Sequence, residues 1–248
     1  EFLPISSSGH PVVLRQIMQV GEIPLLFDVL LHVATLVVVV FVFRMRVWSL
    51  LRSIGRFIVR SSDERDAENL RLTWVLLLAT VLTAAVGIGL NDLELGAQPK
   101  IVSALFIVTG FILIGAHFIK AQQDYSRLGV SHAIITGIAQ GLGVLPGISR
   151  SGITISASLA SGLKREKAGE YSFLLSIPAI LGALLLTLND AGELSQAVGP
   201  VALSVGIASA FVAGLASLLV LLWLVKGGKL YLFSFYLIPV GIAGLIWL

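Results

Sequence analysis

The chain has 248 residues, 56% of them hydrophobic and 12% charged, with 17 Lys and Arg against 14 Asp and Glu. An average soluble domain carries about 25% charged residues, so water is excluded as the main solvent of this surface. The net charge of +3 is scattered between apolar runs, a pattern of loop topology rather than of nucleic-acid binding, and the absence of cysteine removes disulfides, thiolate catalysis and thiolate metal sites.

In chain order, residues 1–20 are too polar and too broken to span a bilayer. Their run Glu1-Phe-Leu-Pro-Ile-Ser-Ser-Ser-Gly-His10 places an acid, the hydroxyls of Ser6, Ser7 and Ser8, and an imidazole next to a helix start. A His serves as nucleophile or proton shuttle near neutral pH, and a carboxylate holds Mg²⁺ or Ca²⁺ or orients a water. Serine runs before Gly-His are equally common in plain loops. Six apolar runs follow, each near the roughly 20 residues a crossing requires, and they predict spans at 23–43, 72–90, 101–119, 168–188, 201–225 and 230–248. Asp28 and His32, one turn apart, are either neighbours of a site or partners in an inter-helix hydrogen bond.

The linkers sort by charge. Residues 44–71 hold seven arginines, and Lys120, Arg127, Lys164, Arg165, Lys167, Lys226 and Lys229 fill the linkers on the same side, which the positive-inside rule assigns to the cytoplasm. Asp92, Glu94, Asp190 and Glu193, with Lys100 as their only base, fall on the opposite side. For this alternation to hold, residues 1–20 and 131–163 each enter and leave on one face, the first opening outward and the second inward.

These two segments resemble each other, Leu3-Pro4-Ile5-Ser6-Ser7-Ser8-Gly9 against Leu145-Pro146-Gly147-Ile148-Ser149-Arg150-Ser151-Gly152. Each is followed by an acid near the start of the next span, Asp28 and Glu170. The expected architecture is therefore all-α, about six transmembrane helices plus two re-entrant helical hairpins, arranged as an inverted-topology repeat of halves 1–125 and 126–248. Such repeats bring broken helices together near the bilayer midplane, where irregular backbone survives by lining a polar cavity.

Arg150 is the sole base that this topology places inside a membrane segment, where an unpaired guanidinium costs several kcal/mol. Its planar fork of donors matches phosphate oxygens, and Ser149, Ser151 and Thr154 surround it with hydroxyls beside a helix N-terminus. By itself the motif specifies an anion site. Elsewhere, Glu170 is expected at headgroup level near Lys167, His117 and His132 at the interface, Trp74, Trp247 and Tyr231 as interface anchors, and Trp48 in an amphipathic stretch of the basic linker.

Glu1 to His10 and Pro146-Gly-Ile-Ser-Arg-Ser-Gly-Ile-Thr154, with Gln140-Gly141 before the second motif and Glu170-Tyr-Ser-Phe-Leu-Leu-Ser-Ile-Pro178 after it, resemble the undecaprenyl-diphosphate phosphatase (bacitracin-resistance) family. The resemblance covers essentially the whole chain. It implies hydrolysis of undecaprenyl diphosphate to the monophosphate carrier of cell-wall synthesis, in a bacterial plasma membrane, at a site open to the outer face. It implies catalytic roles for Glu1, Ser7, His10 and Arg150, and phosphate binding by Ser6, Ser149, Arg150, Ser151 and Thr154. It also implies a divalent cation, Mg²⁺ or Ca²⁺, on Glu1, whose partner acid in the family pattern lies four residues upstream of this sequence. The nucleophile is left open between His10, Ser7 and water. The expected partners are the polyprenyl diphosphate, membrane lipid and, as an open possibility, a second copy in a homodimer, with no nucleic acid. A polyprenyl-phosphate flippase or secondary transporter on the same repeat is the alternative.

Overall fold

The computed structural model describes residues 1–18, 25–91, 98–187 and 200–248. The helices among them are α1 (Gly9–Met18), α2 (Leu25–Val42), α3 (Arg44–Ile58), α4 (Ala67–Asn91), α5 (Pro99–Phe118), α6 (Val130–Leu142), α7 (Arg150–Ala160), α8 (Arg165–Thr187), α9 (Pro200–Lys226) and α10 (Ser234–Trp247). The described residues form no strand beyond one isolated bridge between Gln123 and Leu163. The acids Asp92, Glu94, Asp190 and Glu193 and the side chain of Asp28 lie outside what is described.

The expected spans fall on α2, α4, α5, α8, α9 and α10. Five of these regions, from α4 onward, are long and apolar enough to cross a bilayer, and residues Leu30–Val42 of α2 meet the same test together with α3, which is bent from them by 82°. Lipid-facing positions remain apolar: Val212, Leu219 and Trp223 of α9 and Phe111 of α5 are exposed, while Ser103, Thr109, Thr136 and Ser158 are buried inside the bundle. Those inner hydroxyls bond backbone, as Ser158 does to Thr154 O (2.7 Å) and Thr136 to His132 O (2.6 Å), which removes the cost of unpaired polar groups in hydrocarbon. Small residues let helices meet closely, as where α6 sets Gly137 against Ala79 of α4.

The central pair is α2 and α8; α4 packs on α6 and α8, α9 packs on α2 and α8, and α10 packs on α5. Four basic stretches are tied together at one end of the bundle. Arg71 donates to Ser126 O, Lys164 pairs with Asp124 (2.7 Å), Lys226 pairs with Glu166 (2.8 Å), and Arg46 pairs with Glu170 (3.0 Å). Glu170 thus meets Arg46 as well as Lys167, the expected neighbour. Tyr125 is buried beneath Arg46 and Lys167, its phenol donating to Lys167 O, and burial pushes its pKa up. His132, expected at an interface, is instead buried at the first turn of α6, its Nδ1 accepting the Gly129 N–H as part of a helix cap. His117 donates from Nδ1 to Gly228 O and packs edge-on against Tyr231.

The second broken segment is a helical hairpin, α6 and α7 joined by residues 143–149. In the first, residues 1–8 are irregular and α1 is the helical arm. Both rest on α5. A Cβ on Gly9 would lie 2.5 Å from Phe106 and 2.8 Å from the backbone N of Gly147, so the two loops touch where neither has a side chain.

Candidate active site

Gly147 fixes the second loop. It has φ +102°, and a side chain there would meet Val102 O at 2.5 Å, so the position requires glycine for both conformation and space. Thr109 of α5 then holds the loop from below, donating to Gly147 O (3.0 Å) and accepting from Ser149 N–H (3.2 Å). Ser149 caps α7 by accepting from Gly152 N–H (3.1 Å), and its hydroxyl lies 3.2 Å from that of Ser151. Arg150 is the first residue of the helix.

The first loop docks onto this one through Ser6. Its φ is +66°, and its buried Oγ accepts N–H bonds from Gly147 (3.0 Å) and Gly9 (3.3 Å). The Gly147 bond crosses from one loop to the other and the Gly9 bond fixes Ser6 within its own loop, so this hydroxyl ties the first loop to the second. With the loops joined, Glu1 reaches Arg150: one carboxylate oxygen pairs with Nη2 of the guanidinium, and the other lies 2.8 Å from Nε2 of His32 on α2. The Glu1 side chain retains 9% of its exposure against 26% for Arg150 and 31% for His32, so the carboxylate is the deepest member.

Glu1 and Arg150 open on a narrow cleft lined also by Ser151, Thr154, Gln140, Ser172 and Ser176. Thr154 donates to Arg150 O (2.7 Å) and hydrogen-bonds the Ser172 hydroxyl. The Gln140 amide has a fixed orientation. Its Nε2 faces Leu175 O (3.4 Å), which can only accept, and Thr83 Oγ1 (3.3 Å), whose proton is engaged by Ala79 O (2.8 Å). Oε1 is therefore buried in the cleft wall with no partner among the described residues.

His10 faces elsewhere. Its Nδ1 donates to Ser6 O (2.9 Å), and since that carbonyl can only accept, the neutral ring keeps its lone pair on Nε2, which accepts from Tyr236 Oη (2.8 Å). The two rings stack with centroids 5.6 Å apart at 8°. Ser7 and Ser8 are exposed beside the start of α1. The structure thus joins Glu1, Arg150, Ser151 and Thr154 at one cleft, puts the α7 cap Ser149 and the loop tie Ser6 behind it, and leaves Ser7 and His10 outside its lining, with His32 as the imidazole in contact with Glu1.

Sequence reasoning weighed His32 as a neighbour of a site but left its partner open, and it did not single out Tyr236, Ser172, Ser176 or Thr109. The spacing of Asp28 and His32 was the one signal available for this group. Among the described residues no set of three His, Asp or Glu side chains is placed to hold a metal ion.

Fold and site together define a multi-pass helical membrane protein with an arginine–carboxylate pair where two broken segments meet. The chain belongs to the Bacitracin resistance protein BacA family, whose pattern it matches over residues 1–243. It is similar to the undecaprenyl-diphosphatase of Treponema denticola, 48% identical over 242 residues, which cover 98% of this chain and 90% of that relative. Undecaprenyl-diphosphatases of Desulfosudis oleivorans (41% over 253 residues, 97% of this chain and 91% of the relative) and Borrelia recurrentis (38% over 242 residues, 97% and 91%) are also similar.

Proposed function

We propose that the protein hydrolyses undecaprenyl diphosphate to undecaprenyl phosphate and inorganic phosphate, recycling the lipid carrier for cell-wall synthesis and conferring bacitracin resistance. The observation that carries this reading is the Glu1–Arg150 pair in a hydroxyl-lined cleft, joined across two loops 149 positions apart in sequence.

In the reaction the bond between the bridging oxygen and the terminal phosphorus breaks, the prenyl monophosphate leaves, and the oxygen of water ends on inorganic phosphate. Arg150 releases Glu1 to hold the terminal phosphoryl group, and the hydroxyls of Ser149, Ser151 and Thr154 and the first amides of α7 complete an electrostatic cradle. Glu1 stays bound to His32, a carboxylate–imidazole pair able to orient and deprotonate a water. Ser7 and His10, outside the cleft lining, are the alternative nucleophiles. Their entry requires α1 to turn them toward the cleft.

A divalent cation fits this donor set only in part. Glu1 supplies one carboxylate and Gln140 Oε1 an orphaned carbonyl oxygen, the remaining ligands coming from substrate phosphates and water, as Mg²⁺ prefers. Such an ion would neutralise phosphate charge. The polyprenyl tail lies in lipid beside the bundle while its head enters the cleft. The inverted repeat belongs to the same proposal and is supported by the packing, in which α9 contacts α2 as α4 contacts α8. With the basic face cytoplasmic, the first loop opens to the outer side.

The test is phosphate release from undecaprenyl and farnesyl diphosphates by purified protein in detergent, with and without chelator. A hydrolase releases phosphate where no sidedness exists; a flippase on the same repeat releases none. Loss of activity on chelation supports the cation, and undiminished activity removes it.

A further inference from the structure

The linker helix α3 carries a second feature, remote from the cleft. At Phe43 the chain turns so that α3 leaves α2 at 82°, which lays it near the plane of the membrane surface once α2 crosses. Its inner face is pinned to α4. Asn69 donates to Ser49 Oγ (2.8 Å) and Ser53 Oγ (2.9 Å), Arg46 donates to Asn69 (2.9 Å), and Ser53 donates to Asp66 (2.6 Å).

The outer face is differently made. Trp48, Leu51, Arg52, Gly55, Arg56 and Val59, spaced at helical intervals, line a shallow groove. Gly55 forms its floor, with nothing within 4 Å of where a Cβ would stand. Trp48, Leu51 and Val59 are 65%, 55% and 70% exposed, so the walls are apolar. At the polar edge, Arg56 is engaged by Asp63 (3.7 Å) and Asp66 (3.4 Å), whereas Arg52 makes no ion pair or hydrogen bond among the described residues. From residue 44 to 62 the sequence has five arginines and no acid.

A polar protein partner would offer no apolar surface to match Trp48, Leu51 and Val59, and pure hydrocarbon would strand the Arg52 guanidinium. A molecule with a phosphate beside an acyl chain satisfies both. We propose that this groove is a binding site for an anionic phospholipid, its headgroup phosphate on Arg52 and its acyl chain over Gly55 between Trp48, Leu51 and Val59. Of the two arginines that line the groove, Arg56 is neutralised by Asp63 and Asp66, so Arg52 is the selective contact.

Trp48 reports on the site directly. The protein is reconstituted in vesicles of phosphatidylcholine containing increasing fractions of brominated phosphatidylglycerol or brominated phosphatidylcholine, and tryptophan quenching is compared with that of Trp48→Phe. This subtraction isolates Trp48 from Trp74, Trp223 and Trp247. The Trp48 component is expected to quench at a roughly fivefold lower fraction of the phosphatidylglycerol, the preference of one basic side chain at about 1 kcal/mol. In Arg52→Gln, an exposed substitution that leaves the inner face intact, the preference disappears while quenching by phosphatidylcholine persists. Equal quenching by both lipids in the parent, or a preference that survives in Arg52→Gln, would overturn the proposal.

Discussion

Glu1 is held by both of its carboxylate oxygens, one by a guanidinium and one by an imidazole. This geometry separates two jobs that charge alone would merge. Arg150→Lys keeps the positive charge but loses the planar fork; kcat for phosphate release is expected to fall about 100-fold or more, and a rate equal to the parent would remove Arg150 from the mechanism. Where His10 is the nucleophile, Tyr236 positions it through the 2.8 Å contact to Nε2. Tyr236→Phe keeps the stacked ring, so kcat is expected to drop several-fold with KM little changed, and the loss to vanish in a His10→Gln background. If the losses multiply instead, the tyrosine does not act through His10; if His10→Gln itself runs at the parental rate, His10 has no part in the reaction. The motif residues at the cleft, Glu1, Arg150, Ser151 and Thr154, were legible because an acid and hydroxyls beside an intramembrane arginine have few other uses. His32 and Tyr236 were not, since each meets its partner across helices and a lone polar residue in an apolar run names no partner.

Helices carry the argument at the next scale. The six apolar stretches were readable from length and hydropathy, and their ends moved by only a few residues, as where the polar first turn of α4 extends it back to Ala67. The bend before α3 was not readable: it depends on Asn69, Ser49, Ser53 and Asp66, ordinary polar residues until they are seen facing one another. Ser53 donating to Asp66, helped by Asp63 N–H and Arg56, holds the Asp66 carboxyl below its ordinary range. A carboxylate depressed in the folded protein contributes stability that is present above its unfolded value, near pH 4, and is lost as pH falls through the folded value. Acidification below about pH 4 is therefore expected to loosen α3 from α4, seen as faster amide exchange across residues 44–58, and Asp66→Asn to show that looseness already at neutral pH. Unchanged protection in both would remove Asp66 as the fastener. In the second hairpin, Gly147→Ala combines a left-handed backbone with a 2.5 Å approach to Val102 O. It is expected to destabilise the protein by about 2 kcal/mol or more, read as a lower midpoint of thermal unfolding in detergent; an unchanged midpoint would contradict the loop geometry.

Across the described residues apolar side chains both face lipid and fill the core, around Phe106, Tyr171, Leu159 and Leu221, while serine, threonine and glutamine are set among them inside the bundle. The basic stretches meet one another at one end of the bundle, as alternating linker charge implied. What composition could not show is that both irregular loops rest on one helix, α5, through Phe106, Val102 and Thr109. Loop repetition suggested a meeting, but contact required a shared support that no motif announces. This meeting is the central claim, and the absence of native cysteine makes it directly measurable. A Cβ at Gly152 would stand 3.1 Å from Cβ of Pro4, within a few tenths of an ångström of the roughly 3.5–4.5 Å that a disulfide spans. In Pro4→Cys/Gly152→Cys, oxidation of the membrane-embedded protein followed by proteolysis in the 44–71 linker is expected to leave the two fragments joined until reductant is added. Fragments that separate without reductant, both thiols remaining free, would contradict a single centre built from the two loops.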